Sequence, residues 1–122
     1  MFFTYIVANR KQGTLYTGHT EDLVFRVQQH IDEVFDGFSK QYQCKRLVWF
    51  ELHETREGAF KRERQIKEWK RSWKIQMLEM LNPNWDDLYV GISVDDLYAR
   101  ERFYDQSLFD AASGDGPRLS SG

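Results

Sequence analysis

The chain opens on two strand-like runs only a short loop apart, which commits its sheet to antiparallel pairing. Residues 2–8 and 14–17 are rich in aromatic and β-branched side chains and read as strands. Between them Asn9-Arg10-Lys11-Gln12-Gly13 is polar and contains a glycine, which suits a hairpin loop. Centring that loop between Arg10 and Lys11 sets Tyr5 opposite Tyr16, and directly opposed residues project from one face.

A third strand, Leu47 to Glu54, is apolar enough to be central in the sheet. Helical spacing fills the remainder. Thr20 caps a first helix over 20–31, with Glu21 and Asp22 in its first turn and Leu23, Val27, Ile31 and Val34 as its apolar stripe. Thr55 caps a second helix running to about Arg71, with Ala59, Phe60, Ile66 and Trp73 as its stripe. A third covers 72–81 and is stopped by Asn82-Pro83-Asn84. The segment 35–46 reads as irregular. Three strands and three helices make the expected fold class α+β. Residues 1–89 form the domain, and 90–122 form an acidic C-terminal extension, partly disordered, with a short helix around 97–110.

Charge divides a little before that boundary. Residues 1–82 hold 14 Lys+Arg against 11 Asp+Glu, a net +3, whereas residues 83–122 hold 3 against 8, a net -5. The front section can attract phosphates, though +3 is a weak signal by itself. The single cysteine, Cys44, cannot form an internal disulfide. No apolar run approaches the ~20 residues that span a bilayer, and no signal peptide is recognisable. The expectation is a cytoplasmic protein with no membrane partner.

Some residues break the pattern. Glu63 falls within the apolar stripe of its helix, about 40° from Ala59 and about 60° from Phe60 and Ile66. An unpaired carboxylate there would cost several kcal/mol, so it must face an arginine, a metal or a water-filled cleft. A partly buried salt bridge satisfies that demand as well as a metal does. Arg26 and His30, four apart, share one helix face. They read either as an edge pair reaching solvent or as a phosphate-binding cation beside a proton shuttle. Tyr5 and Tyr16 read either as cross-strand packing or as hydroxyls near an attacking water, where a depressed pKa makes one a general base. His19 and His53 show no usable pattern. Lys61, Arg62, Arg64, Lys67, Lys70, Arg71 and Lys74 form a basic run, ordinarily a solvated face, which also offers a strip for tracking phosphates.

Taken together these residues resemble the GIY-YIG nuclease superfamily, and in particular its small, single-domain bacterial branch. Phe3-Thr4-Tyr5 stands at the first motif and Tyr16-Thr17-Gly18 at the second. Arg26 and His30 stand on the family's first helix, and Glu63 at its metal-binding glutamate. The literal Gly-Ile of the first motif is Phe3-Thr4 here, and Thr17 replaces the Ile of the second. Gly18 is retained, which suits a sharp exit from strand to helix. The resemblance covers residues 2–89 and implies the family fold, a small three-stranded antiparallel sheet flanked by helices, which these strands and helices fit. It implies a metal-dependent endonuclease that hydrolyses phosphodiester bonds in DNA, leaves RNA open as a substrate, and leaves open structure-selective cutting in repair or recombination. It implies one Mg2+ or Mn2+ on Glu63, a tyrosine, Tyr5 first with Tyr16 beside it, as proton acceptor, and Arg26 with His30 on the phosphate. Lys67, Lys70, Arg71 and Lys74 would bind the nucleic acid. The second reading is a nucleic-acid-binding module whose catalytic residues are idle.

Overall fold

The computed structural model describes residues 1–34 and 37–93. The elements in order are β1 (Phe2–Ala8), β2 (Leu15–Thr20), α1 (Leu23–Ile31), α2 (Phe38–Gln41), β3 (Arg46–His53), α3 (Arg56–Glu68), α4 (Arg71–Leu81) and α5 (Tyr89–Ser93). The three strands form one antiparallel sheet in the order β2-β1-β3. The expected α+β architecture is therefore present. The expectations for a helix around 97–110 and for disorder in the tail lie outside the described residues.

The central strand is β1, not the 47–54 run. β3 is an edge strand despite its apolar sequence, because other chain covers its free side. Leu88 N–H donates to the Leu47 carbonyl at 2.8 Å, and the Asn82 side-chain amide donates to the Val48 carbonyl at 3.0 Å. Val48 is the extra residue of a bulge, since Trp49 pairs with Ile6 and Leu47 with Val7. Asn82 also accepts from Asp86 N–H, so one buried side chain ties the end of α4 to the sheet edge.

Strand alternation gives the sheet two apolar faces. Phe3, Tyr5 and Val7 of β1 join Leu23, Val27, Leu47, Phe50, Leu88 and Ile92 under α1 and α5. Ile6 and Ala8 join Trp49, Ile66, Trp69, Met77, Leu78 and Trp85 under α3 and α4. Ile92 is fully buried, so the packed unit continues past residue 89 through α5.

Two helix starts differ in an instructive way. Thr55 caps α3 as expected, accepting from Gly58 N–H at 3.0 Å. Asp22, not Thr20, caps α1. Thr20 is still in β2, and its hydroxyl accepts from Asp22 N–H while the Asp22 carboxylate accepts from Phe25 N–H. α1 ends at Ile31, leaving Val34 exposed.

The face of α3 that meets the sheet is Ala59, Arg62, Glu63 and Ile66, and Phe60 is exposed. An arginine takes the place expected of the phenylalanine because β3 supplies its counter-charge. Arg62 Nε donates to Glu51 at 3.1 Å, and its guanidinium also meets Gln65, the Met77 sulfur and the Trp69 ring. Both members of the pair are at most 6% exposed. Losing one would strand a buried charge at a cost of about 3–5 kcal/mol. This pair sets the rotation of α3, and hence the direction in which the adjacent Glu63 points.

Candidate active site

Edge strand β2 carries the site, with one half on each face of the sheet. The register pairs Tyr5 with Gly18 and Val7 with Tyr16, so the assumed opposition of Tyr5 and Tyr16 is off by one residue in each strand. The loop is centred farther along than expected and β2 runs on to Thr20. Because both tyrosines shift together, they still share a face. Gly18 lies inside the strand instead of ending it. A Cβ on Gly18 would stand 2.6 Å from the Tyr5 hydroxyl oxygen and 2.7 Å from its ring carbon. The glycine is required because the Tyr5 ring lies across it.

On that face α1 presents Arg26 and His30. Tyr5 is 1% exposed and His30 is 3% exposed. Burial lowers the His30 pKa from its ordinary value to about 4, assisted by the charge of Arg26, so the ring is neutral. One arrangement of protons satisfies every contact. The Tyr5 O–H donates to His30 Nε2 at 2.8 Å, and His30 Nδ1–H donates to the Ser39 hydroxyl at 2.6 Å. Arg26 in turn donates to the Tyr5 oxygen. Ser39 comes from the 35–46 segment expected to be irregular, which here forms α2. His30 is thus a buried member of a relay, not a side chain reaching solvent. Burial, more than any neighbour, pushes the Tyr5 pKa up, with the charges of Tyr16 and Glu63 adding to it and Arg26 opposing. This is opposite to the depression that a general base at Tyr5 requires. Tyr16 is only partly buried, and its ring meets the edge of His30 at 5.1 Å between centroids.

The other face is charged. His19 pairs with Thr4 and therefore points toward α3. Its Nδ1 lies 2.8 Å from Glu63 Oε1, and Lys67 Nζ donates to Oε2 at 2.9 Å. The Glu63 side chain is 11% exposed, so it is a mostly buried carboxylate with a partner on each oxygen. It lines an open cleft of about 350 Å3 together with Phe60, Arg64, Lys67 and Glu68. The Lys67 ammonium also lies 6.0 Å from the centre of the Tyr16 ring, so it reaches round the sheet edge from one half to the other.

The basic strip divides in a similar way. Arg71 donates to the carbonyls of Gln12 and Gly13 at 2.9 and 2.6 Å and so fastens the β1–β2 loop to α4. Lys70 starts α4 and lies over Trp73. The Lys74 pKa is lowered, first by burial and then by the charges of Arg71 and Lys67. Arg62, counted in the same basic run, is buried on the opposite side. His19 and Ser39 are the contributions that sequence reasoning missed. The signal for His19 was its place directly after Gly18, on the opposite face from Tyr16. Ser39 offered none.

Residues 1–76 match the family model described as the GIY-YIG catalytic domain. The chain is similar to UPF0213 proteins of Staphylococcus aureus strains Mu3 / ATCC 700698 and N315. Each is 35% identical over 77 residues, which is 63% of this chain and 93% of the relative. Among solved structures it is similar to the solution NMR structure of the UPF0213 protein BH0048 from Bacillus halodurans. The TM-score is 0.45 and the identity 25%, covering 71% of this chain and 93% of that one.

Proposed function

The chain belongs to the GIY-YIG family of nuclease domains, and from that premise we propose that it is a metal-dependent endonuclease hydrolysing phosphodiester bonds in DNA. One observation carries the reading. The tyrosine–histidine–arginine cluster and the Glu63 carboxylate arrive from opposite faces of the sheet and meet at the edge of β2, where Gly18 has no side chain. Lys67 joins the halves, donating to Glu63 at 2.9 Å and lying 6.0 Å from the centre of the Tyr16 ring.

The donor set fits a divalent ion. Glu63 offers hard carboxylate oxygens at the wall of an open cleft, beside a histidine and a half-exposed lysine. When bound, Mg2+ or Mn2+ supplies Lewis acidity toward the scissile phosphate. Arg26 stabilises the negative charge that develops on the phosphoryl oxygens. Tyr16, partly open to solvent, receives the proton of the attacking water. Tyr5 and His30, locked together through Ser39, hold Arg26 and the tyrosine edge in place. Lys67, Lys70 and Lys74, with Arg71 beside them, line the path of the strand. An anion there offsets the burial and the neighbouring charges of Arg71 and Lys67 that together depress Lys74. A branched or damaged DNA met in repair or recombination, in the cytoplasm, is the proposed setting. Among the described residues no helix is long and apolar enough to cross a membrane.

The test is cleavage of supercoiled, linear and branched DNA by the purified chain, with Mg2+ and with chelator. Glu63→Gln keeps shape and loses charge, so it should bind DNA yet cut on the order of a thousandfold more slowly. A variant that cuts at the parent rate overturns the assignment. The second reading, an idle nucleic-acid-binding module, draws on the occupation of both Glu63 oxygens and on the raised Tyr5 pKa. Salt-sensitive DNA binding with no cutting in any metal would select it.

A further inference from the structure

His19 has no part in the reaction outlined above, yet it makes the shortest contact to the residue on which that reaction depends. We propose that His19 Nδ1 and Glu63 Oε1 together form a mixed nitrogen–oxygen chelate for a single divalent ion, and that the site therefore favours Mn2+ over Mg2+. The proposal rests on the reading of Glu63 as the metal-binding carboxylate and goes beyond it in the donor set and in the choice of metal.

The geometry comes first. Two ligand atoms bound side by side at about 2.1 Å to an octahedral ion stand about 3 Å apart. Nδ1 and Oε1 are already 2.8 Å apart. The β2 register turns His19 toward α3, and the Arg62–Glu51 pair fixes the rotation of α3 that turns Glu63 toward β2. The imidazole is held as well. It is 25% exposed and packs on the Phe60 ring at 5.3 Å between centroids. That contact explains why a phenylalanine stands on the exposed side of an otherwise charged helix, at the rim of the cleft.

The second argument is one of ligand number. Lys67 occupies Oε2, which leaves one oxygen of Glu63 for an ion. A single carboxylate oxygen is a weak anchor, and the imidazole doubles the protein's share of ligands. A neutral imidazole suits first-row transition ions, whereas Mg2+ prefers oxygen and keeps its water. Ligation through Nδ1 needs the tautomer that carries its proton on Nε2, which turns the Nδ1 lone pair to the ion.

The experiment is a Mn2+ titration of the purified chain by electron paramagnetic resonance, with pulsed measurement of nitrogen coupling to the bound ion. Mg2+ is then added as competitor. One Mn2+ should bind per chain and show coupling to a histidine nitrogen. His19→Gln keeps a donor for Oε1 and cannot ligate through nitrogen. It should lose the coupling and about tenfold in Mn2+ affinity, while Mg2+ affinity changes far less. Glu63→Gln should abolish binding of both ions. Mn2+ held through Glu63 without nitrogen coupling, or with coupling that survives His19→Gln, overturns the chelate and leaves Glu63 in place. Mn2+ binding unchanged by Glu63→Gln overturns the metal reading on which the chelate rests.

Discussion

The two sides of strand β2 are built on opposite principles. On the α1 side, Tyr5, His30 and Ser39 are dry, neutral and joined by short hydrogen bonds, with one cation, Arg26, aimed at them. On the α3 side, Glu63, His19 and Lys67 are ionic and open onto a cleft. The first half has little freedom to rearrange, since a buried polar group that loses its partner goes unsatisfied. The second can exchange partners, because water and cations reach it. The proposed phosphodiester hydrolysis calls on both, a rigid frame for transition-state charge and an exchangeable carboxylate.

The comparison breaks most readily at Arg26, the charged member of the dry half. If its cation acts on the transition state, Arg26→Ala should cost about 2.7–4 kcal/mol, roughly a hundred- to thousandfold in single-turnover rate, with a much smaller change in DNA affinity. Lost affinity at an unchanged rate would move Arg26 to the side of the binding lysines.

A second test uses pH on the folded chain. The His30 pKa is about 4, below its ordinary 6.5. Between those values the unfolded chain binds the proton and the folded chain does not. Stability is therefore complete above pH 6.5 and falls as pH drops toward 4, by up to about 3 kcal/mol. His30→Gln should flatten that part of a urea-unfolding profile. A slope in His30→Gln equal to the parent's would erase the contrast.

Gly18→Ala probes the boundary between the halves. The new methyl meets the Tyr5 hydroxyl and ring at 2.6–2.7 Å, and the ring is locked to His30. Overpacking of about 1–3 kcal/mol is expected in equilibrium unfolding. Tyr5→Phe in the same chain should restore only part of it, because the ring remains. Full stability in Gly18→Ala would mean that the tyrosine can move, and that the dry half is less rigid than its contacts imply.

The smallest effect concerns the acidic end. Ending the chain after Ser93 keeps Ile92 in the core and removes a net -3, from six acids and three arginines in residues 94–122. If those residues compete for the strip around Lys67 and Lys74, the shorter chain binds DNA severalfold more tightly at low salt, and the gain shrinks as salt rises. Equal affinities at low salt would leave the tail a solubilising role.

Much of this was legible in the order of residues. Alternation in 2–8 and 14–17 marks a hairpin, Thr55 marks a helix start, and Asn82 marks a helix end, because each depends on neighbours a few residues away. Of the motif residues, Tyr5, Tyr16, Arg26 and His30 share one sheet face, and Glu63 lies on the other. The failures share one cause. Periodicity weighs one helix alone and so puts Phe60 in the core and Arg62 on the surface, whereas the glutamate that admits Arg62 lies on β3. The apolar 47–54 run reads as central because the residues that cover it, Asn82 and Leu88, lie far along the chain from Val48 and Leu47.

By itself, then, the sequence determined the hairpin, the third strand and the three longer helices, since these follow from local periodicity, capping and composition. Only the tertiary structure decided that Gly18 is there to admit the Tyr5 ring, that His30 is buried and neutral, and that His19 stands against Glu63. Each of those depends on which strand lies beside which, and in what register. Register is set by the packing of both faces at once, and a shift of one residue in each strand, as at Tyr5 and Gly18, leaves the alternating pattern unchanged.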